Sequence, residues 1–200
     1  MDRALIIFIK NPEAGKVKTR LAKDIGNENA LTIYKHLLAH TRKIAIEVKA
    51  KRFLFYADKI PLRDDWPETD FKKFVQQGDD LGLRMLNAFE KAFLNSQKVI
   101  IIGSDCMELN SEFIEIAFDK LQTHDFVIGP ANDGGYYLLG MKYAEQSFFQ
   151  GKAWSTSTVF GDTVADISNL SKSLFILPLL SDVDTIADLS PELKILINLY

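Results

Sequence analysis

One stretch near the N-terminus constrains this chain more than any other: Leu5-Ile6-Ile7-Phe8-Ile9-Lys10-Asn11-Pro12-Glu13-Ala14-Gly15-Lys16-Val17-Lys18-Thr19-Arg20-Leu21. An apolar run of strand type stops at a charged residue. A Pro/Gly loop loaded with cations follows, and a helical pattern begins at about Val17. Strand, loop and helix in that order make a place for a phosphate, because free N–H groups and the helix dipole both favour negative charge at a helix start. Lys10, Lys16, Lys18 and Arg20 would add charge-assisted donors. On spacing alone, a solvated surface loop fits equally well.

Two familiar phosphate motifs are excluded. A P-loop needs Gly, four residues, then Gly-Lys-Ser/Thr. Gly15-Lys16 is present, but Lys10 stands where the first Gly belongs and Val17 where the metal-binding hydroxyl belongs. The dinucleotide fingerprint fails because Gly15 is the only glycine in the loop.

Two hundred residues suit one domain with a full core, and no repeat, linker or low-complexity tract divides residues 1–200. A net charge of −3 argues against a general nucleic-acid binder. The basic loop is therefore local, as suits a small anionic ligand. Cys106 is the only cysteine, which leaves no internal disulfide or Cys-cluster metal site and fits a reducing compartment. No apolar run approaches membrane-spanning length and the N-terminal run is too short for a signal peptide, so a cytoplasmic location is expected.

The remaining pattern alternates strands and helices. A long helix is expected from Asn27 to about Val48, strands over 52–57 and 71–76, and a helix from Asp79 or Asp80 to about Asn95. The clearest strand is Lys98-Val99-Ile100-Ile101-Ile102-Gly103. A helix over about 111–122 and a strand over 125–130 follow. Then come an Asn132-Asp133-Gly134-Gly135 turn and a strand over 136–141. A helix over about 158–167, a strand over 174–177 and a last helix opened by Ser190-Pro191 complete the chain. The order implies a single-domain, Rossmann-like α/β/α sandwich with a mostly parallel sheet.

Ligands in such sheets bind beyond the carboxyl ends of the strands. Three polar clusters fall there: the loop after Ile9, Ser104-Asp105 after Gly103, and Asp182 and Asp184 after the late strand. Carboxylates beside a polyphosphate repel it unless a divalent cation lies between, and Mg²⁺ takes one or two carboxylates plus phosphate oxygens and water. Asp105 and Asp184 are the candidate ligands of Mg²⁺ or Mn²⁺. Singly, each Asp reads as a helix cap; jointly, at two strand ends, they read as a metal site. Asp182-x-Asp184 lacks the Thr that a phosphatase D-x-D-x-T pattern needs, because Ile186 is there.

His36 and His40 lie four apart, but Leu37 stands where a zinc protease carries Glu. Cys106 has no His nearby in sequence and reads as a small buried thiol. Trp154 reads as a core residue before it reads as a stacking platform.

The ordered set of motifs resembles a bacterial family of predicted glycosyltransferases similar to 2-phospholactate guanylyltransferase. These belong to the GT-A, or nucleotide-diphospho-sugar transferase, superfamily. The matching pieces are Lys10-Asn11-Pro12 with Gly15 to Leu21, Gln77-Gly78-x-Asp80-Leu81-Gly82-x-Arg84-Met85 and Gly103-Ser104-Asp105-Cys106. Gly129-Pro130-Ala131 with Asp133-Gly134-Gly135-Tyr136-Tyr137-Leu138 and Asp182-Val183-Asp184-Thr185 with Asp188-Leu189 complete the set. The likeness covers nearly the whole chain.

The resemblance implies that Lys18 and Arg20 meet the nucleotide's phosphates, with Lys10, Asn11 and Gly15 beside them. It implies that Gln77, Gly78, Leu81 and Gly82 face the base, and that Ser104 lies at the nucleotide. Asp105 and Asp184 would hold the metal, with Lys18, Arg20 and Asp105 as the catalytic set. Asp133, Gly134 and Gly135 would face the sugar or acceptor. Two departures stand out: Met107 replaces a usual Pro, and Ser104-Asp105 supplies one carboxylate where glycosyltransferases of this superfamily often carry D-x-D.

The expected function is a metal-dependent transferase acting on a nucleotide-diphospho-sugar and a small-molecule acceptor. The alternatives are a nucleotidylyltransferase joining an NTP to a phosphorylated or acidic small molecule, and a non-catalytic nucleotide-binding module. Base, sugar, acceptor and oligomeric state are not written in the sequence.

Overall fold

The computed structural model describes residues 2–199. Its strands are β1 (Arg3–Ile9), β2 (Lys51–Tyr56), β3 (Phe71–Val75), β4 (Lys98–Ile102), β5 (Phe126–Pro130), β6 (Tyr136–Met141) and β7 (Leu174–Ile176). All seven join one sheet in the order β3-β2-β1-β4-β6-β5-β7. The helices are α1 (Thr19–Ile25), α2 (Asn27–Glu47), α3 (Leu81–Phe93), α4 (Ser111–Lys120), α5 (Val159–Asn169) and α6 (Pro191–Leu196).

Alternation along the central strands divides the core into two layers, because successive side chains leave a strand on opposite faces. Leu5, Ile7, Ile9, Leu54, Tyr56, Ile100 and Ile102 pack on one face, beneath α2 and α4. Ala4, Ile6, Phe53, Phe55, Val99 and Ile101 pack on the other, beneath α3 and α5. Strands buried on both faces read as unbroken apolar runs, which is why β1 and β4 are so plain in the sequence.

The expected α/β/α sandwich is therefore the observed fold. The sheet is parallel over β3-β2-β1-β4 and between β5 and β7. β6 alone runs antiparallel to both its neighbours, as the tight Asn132–Gly135 turn requires. Element ends fall within two residues of the expected ones. The first helix begins at Thr19, not near Val17, because Lys18 takes a left-handed conformation that no α-helix can contain. Gly26, not Asn27, caps the long helix.

Two connections position the functional edge. After β7 the chain keeps to the sheet: Leu177 N donates to Ile128 O, Leu180 N to Pro130 O and Asn132 N to Leu180 O. It then crosses to the end of β4, where Val183 N donates to Asp105 O at 2.9 Å. That bond brings the segment from Asp182 to Asp184 to the end of β4. On the far side of β1, Gln76 reaches across with Nε2 3.3 Å from Ile9 O and 3.2 Å from Phe55 O.

Candidate active site

The loop after β1 is built from tight turns. Glu13 N donates to Asn11 O and Lys16 N to Glu13 O. Gly15 has φ 78°, a conformation glycine adopts freely. Lys18 has φ 46° and ψ 45°, which costs a residue with a side chain about 1–2 kcal/mol. Strain of this kind persists where surrounding contacts over-determine it, and the contacts of Lys18 are specific.

The Lys18 side chain is 4% exposed. Its Nζ lies 2.9 Å from Asp105 Oδ1 and 3.1 Å from Asp184 Oδ1. Arg20 NH1 reaches the other oxygen of Asp184 at 3.4 Å. The contact to Asp105 is ionic without hydrogen-bond geometry, so Asp105 Oδ1 remains a buried oxygen with no hydrogen-bond donor. Burial works against the charge on Lys18, but Asp105 and Asp184 outweigh it and hold the ammonium above its ordinary range.

Asp182 completes the centre. Burial first, then the charges of Asp105 and Asp133, push its carboxyl up to about 7. Four carboxylates, from residues 105, 133, 182 and 184, thus act on one another around one buried amine. Sequence reasoning left Asp182 undecided between capping and holding a loop. Its signal was present in the Asp-x-Asp spacing, which puts two carboxyl groups on the same side of an extended segment.

The capping roles that competed for these residues belong to others. Asn110 caps α4, accepting from Phe113 N. Asp188 accepts from the backbone N–H groups of Asp184 and Thr185 at 3.1 and 2.7 Å. Asp105 and Asp184 are left free to face the cations.

The other candidate residues divide. Ser104 is buried, with its hydroxyl 3.4 Å from Tyr34 Oη. Tyr34 Oη also accepts from Lys10 N at 2.8 Å, so one α2 side chain joins the ends of β1 and β4. Nothing in its helical spacing distinguishes Tyr34 from an ordinary core residue. Lys10 itself is exposed, and Lys16 pairs with Glu13 at 2.6 Å, away from the centre.

Asn11 is buried and its amide is spent on backbone: Nδ2 donates to Lys59 O, and Oδ1 accepts from Asp58 N. It braces the loop after β2 against the cationic loop. Gln77 and Leu81 are exposed at the α3 end. Gly78 has φ 137° and its carbonyl accepts from Arg84 Nε. Gly82 lies beneath Trp154, where a Cβ would come within 2.6 Å of the indole. Trp154 is thus a packing residue, as expected.

Asp133 is exposed and its Oδ1 accepts from Gly135 N. Gly134 has φ 87° and is pressed against the backbone of Ser157, where a Cβ would come within 2.2 Å. Both glycines therefore shape the turn, and Asp133 contributes its charge to the acidic centre. Cys106 is buried beside that centre with its thiol pushed up to about 12 by burial and Asp182, which removes it as a nucleophile at neutral pH. His40 Nε2 lies 2.7 Å from Leu109 O and serves the fold.

The donor set fits a hard divalent cation only in part. Among the described residues, no three His, Cys, Asp or Glu side chains form a ready cage. Asp105 and Asp184 already share one cation, the Lys18 ammonium, and the donor-less Oδ1 of Asp105 is a hard oxygen aimed at it. Two such carboxylates suit Mg²⁺ or Mn²⁺ where a bound phosphate supplies the remaining ligands.

Comparison with known proteins identifies a family and a shared fold. Residues 39–156 match the family described as uncharacterized protein conserved in bacteria (DUF2064). A proposed nucleotide-diphospho-sugar transferase from Desulfovibrio desulfuricans G20 is 34% identical. The match covers 94% of this chain and 84% of that one, with a TM-score of 0.85. Two more distant structures share the fold. The inositol-1-phosphate CTP transferase from T. maritima is 11% identical, with a TM-score of 0.58 over 100% of this chain and 96% of that one. The CMP:2-keto-3-deoxy-manno-octonic acid synthetase complexed with CTP is 10% identical, with a TM-score of 0.56 over 99% of each chain. Among curated proteins, none matches this chain. Among the described residues, no helix is long and apolar enough to cross a membrane.

Proposed function

Given that the chain belongs to the bacterial family described as DUF2064, we propose that it is a metal-dependent transferase acting on a nucleotide-diphospho-sugar. One observation carries this reading. The buried Lys18 amine, held by a left-handed backbone, meets two carboxylates from distant parts of the chain at the carboxyl edge of a parallel sheet. Capping accounts for neither carboxylate, and a purely structural pair needs no strained lysine. The 34% identical D. desulfuricans protein supports the same substrate class.

The residues divide the work by charge. Lys18 and Arg20 bind the diphosphate and stabilise the negative charge that develops on it as it leaves. Asp105 and Asp184 hold Mg²⁺ or Mn²⁺, which supplies Lewis-acid stabilisation of the same charge. Asp133, within the tight turn, faces the sugar or acceptor in this reading. Partners are a nucleotide-sugar and a small molecule.

Thermal shift with UDP- and GDP-sugars in the presence of Mn²⁺ tests the reading directly. Stabilisation by at least one nucleotide is expected, and no shift with any of them overturns it. Asp105→Asn should lower turnover about 10²-fold or more, by removing charge at the leaving group.

A second reading is favoured by one detail. The end of β4 gives a single carboxylate, Ser104-Asp105, and its partner comes from residue 184. Split carboxylates of this kind suit a nucleotidylyltransferase joining an NTP to a phosphorylated or acidic small molecule, a reading supported by the fold shared with the CTP-using transferases. The products decide: pyrophosphate from an NTP, or nucleoside diphosphate from a sugar donor.

A further inference from the structure

The position of the Lys18 ammonium has a consequence for how this site fills. It sits between Asp105 Oδ1 and Asp184 Oδ1, at 2.9 and 3.1 Å, and Arg20 holds the remaining oxygen of Asp184. Both oxygens of Asp184 and the buried oxygen of Asp105 already face a positive charge. Lys18 and Arg20 are therefore already paired with the two carboxylates a metal would use. A divalent cation arriving alone would meet a neutralised pair and two repelling side chains. A nucleotide's phosphates bring the opposite balance, offering Lys18 and Arg20 new anionic partners and the metal additional oxygens.

We infer that Lys18 is a built-in counter-ion that occupies the metal position in the empty protein, so that the divalent cation enters only with, or after, the nucleotide. The inference rests on the proposed nucleotide site and adds an order of binding to it. Three features make Lys18 suited to this role. Its side chain is buried, so the amine is held against the carboxylates and not in solvent. Its left-handed backbone sets it just ahead of the first helix, with its amine on both carboxylates. Asp184 is itself fixed from behind, because Asp188 accepts its backbone N–H. The carboxylates therefore stay, and the ammonium is the group that can leave.

Removing the ammonium should convert the pair into a free-standing cation site. Calorimetric titration of the whole protein with Mn²⁺ alone, without nucleotide, reads this independently of turnover. The wild type should bind Mn²⁺ weakly. Lys18→Ala should bind it about tenfold more tightly or better, since a unit charge at contact distance is worth more than that near a protein surface. Lys18→Gly serves as a second variant, because glycine relaxes the left-handed backbone and protects the fold. The gain should disappear when Asp105→Asn is added to either variant.

A third titration separates this inference from the reading beneath it. With a UDP- or GDP-sugar, or GTP or CTP, present at saturation, Mn²⁺ should bind the wild type in one site per chain. If Mn²⁺ alone binds the wild type as tightly as the Lys18 variants, the counter-ion role is wrong while the nucleotide site stands. If none of these nucleotides binds with Mn²⁺, the nucleotide site itself is wrong, and the counter-ion role fails with it.

Discussion

Single residues at this site are constrained by neighbours that no local pattern reveals. Gly82 shows this most simply. It belongs to the Gln77–Gly82 segment assigned to the nucleotide base, yet a Cβ there would lie 2.3 Å from the carbonyl of Phe149 and 2.6 Å from the Trp154 ring. Gly82→Ala should therefore cost about 2 kcal/mol of stability, an overpacking penalty measurable by urea denaturation. A neutral substitution would show that the 149–154 segment yields easily. Lys18 presents the converse case. Its charge and its place after a strand were legible in the sequence, because cations at a strand-to-helix turn carry a physical meaning. Its positive φ was not, since nothing marks one lysine of a basic loop as left-handed. Tyr34 was hidden for a different reason: the group it joins to Lys10, Ser104, lies 70 residues away.

Elements at the active edge are held by hydrogen bonds from side chains that make no direct contact with Lys18. The short 3₁₀ turn Ile186–Asp188 is the clearest instance. Asp188 accepts from Asp184 N, Thr185 N and the Thr185 hydroxyl, and these bonds overcome burial to hold its carboxyl below the usual carboxylate range. Asp188→Ala should cost about 1 kcal/mol, the ordinary worth of a helix cap. It should also weaken Mn²⁺ binding in the presence of nucleotide, because Asp184 loses its support. An unchanged metal affinity would show that Val183 N alone, bonded to Asp105 O, suffices to place the segment. The strands and long helices were legible here because burial on two faces or one stripe writes itself as an apolar run or a 3.6-residue period. Which capping role each Asp held was not, because Asp105, Asp184 and Asp188 offer the same side chain in the same kind of loop. Only the fold assigns Asn110 and Asp188 to the caps and leaves Asp105 and Asp184 facing Lys18.

At the scale of the whole molecule, the nucleotide edge depends on how the sheet's outer side is tied to its centre. β3 is an edge strand, joined to β2 through a 57–70 loop rich in charge. That loop is fastened by one compact group. Asp64 Oδ1 and Oδ2 lie 2.8 and 2.9 Å from Lys73 Nζ on β3, and Tyr56 at the end of β2 donates to Asp64 at 2.5 Å. Only 9% of the Asp64 side chain and 11% of the Lys73 side chain are exposed. Burial works against the Asp64 charge, but Lys73 and the Tyr56 hydroxyl overcome it and hold the carboxyl below its ordinary 3.8. The sign of the linkage follows. Unfolding returns Asp64 to its ordinary value, so its contribution is present in full above about pH 4 and is lost as pH falls through the lower value it has in the fold. Asp64→Asn leaves Lys73 buried without its strongest partner and should cost about 3 kcal/mol at neutral pH. The gap between wild type and variant should hold from neutral pH down to about pH 4 and close below it. Urea midpoints taken at neutral pH and at several acidic values measure that gap, and one that stays constant into strong acid would show that Asp64 acts through packing and not through its charge. Because Asn11 ties Lys59 and Asp58 of the same loop to the cationic loop after β1, nucleotide affinity should weaken over the same acidic range in which the gap closes.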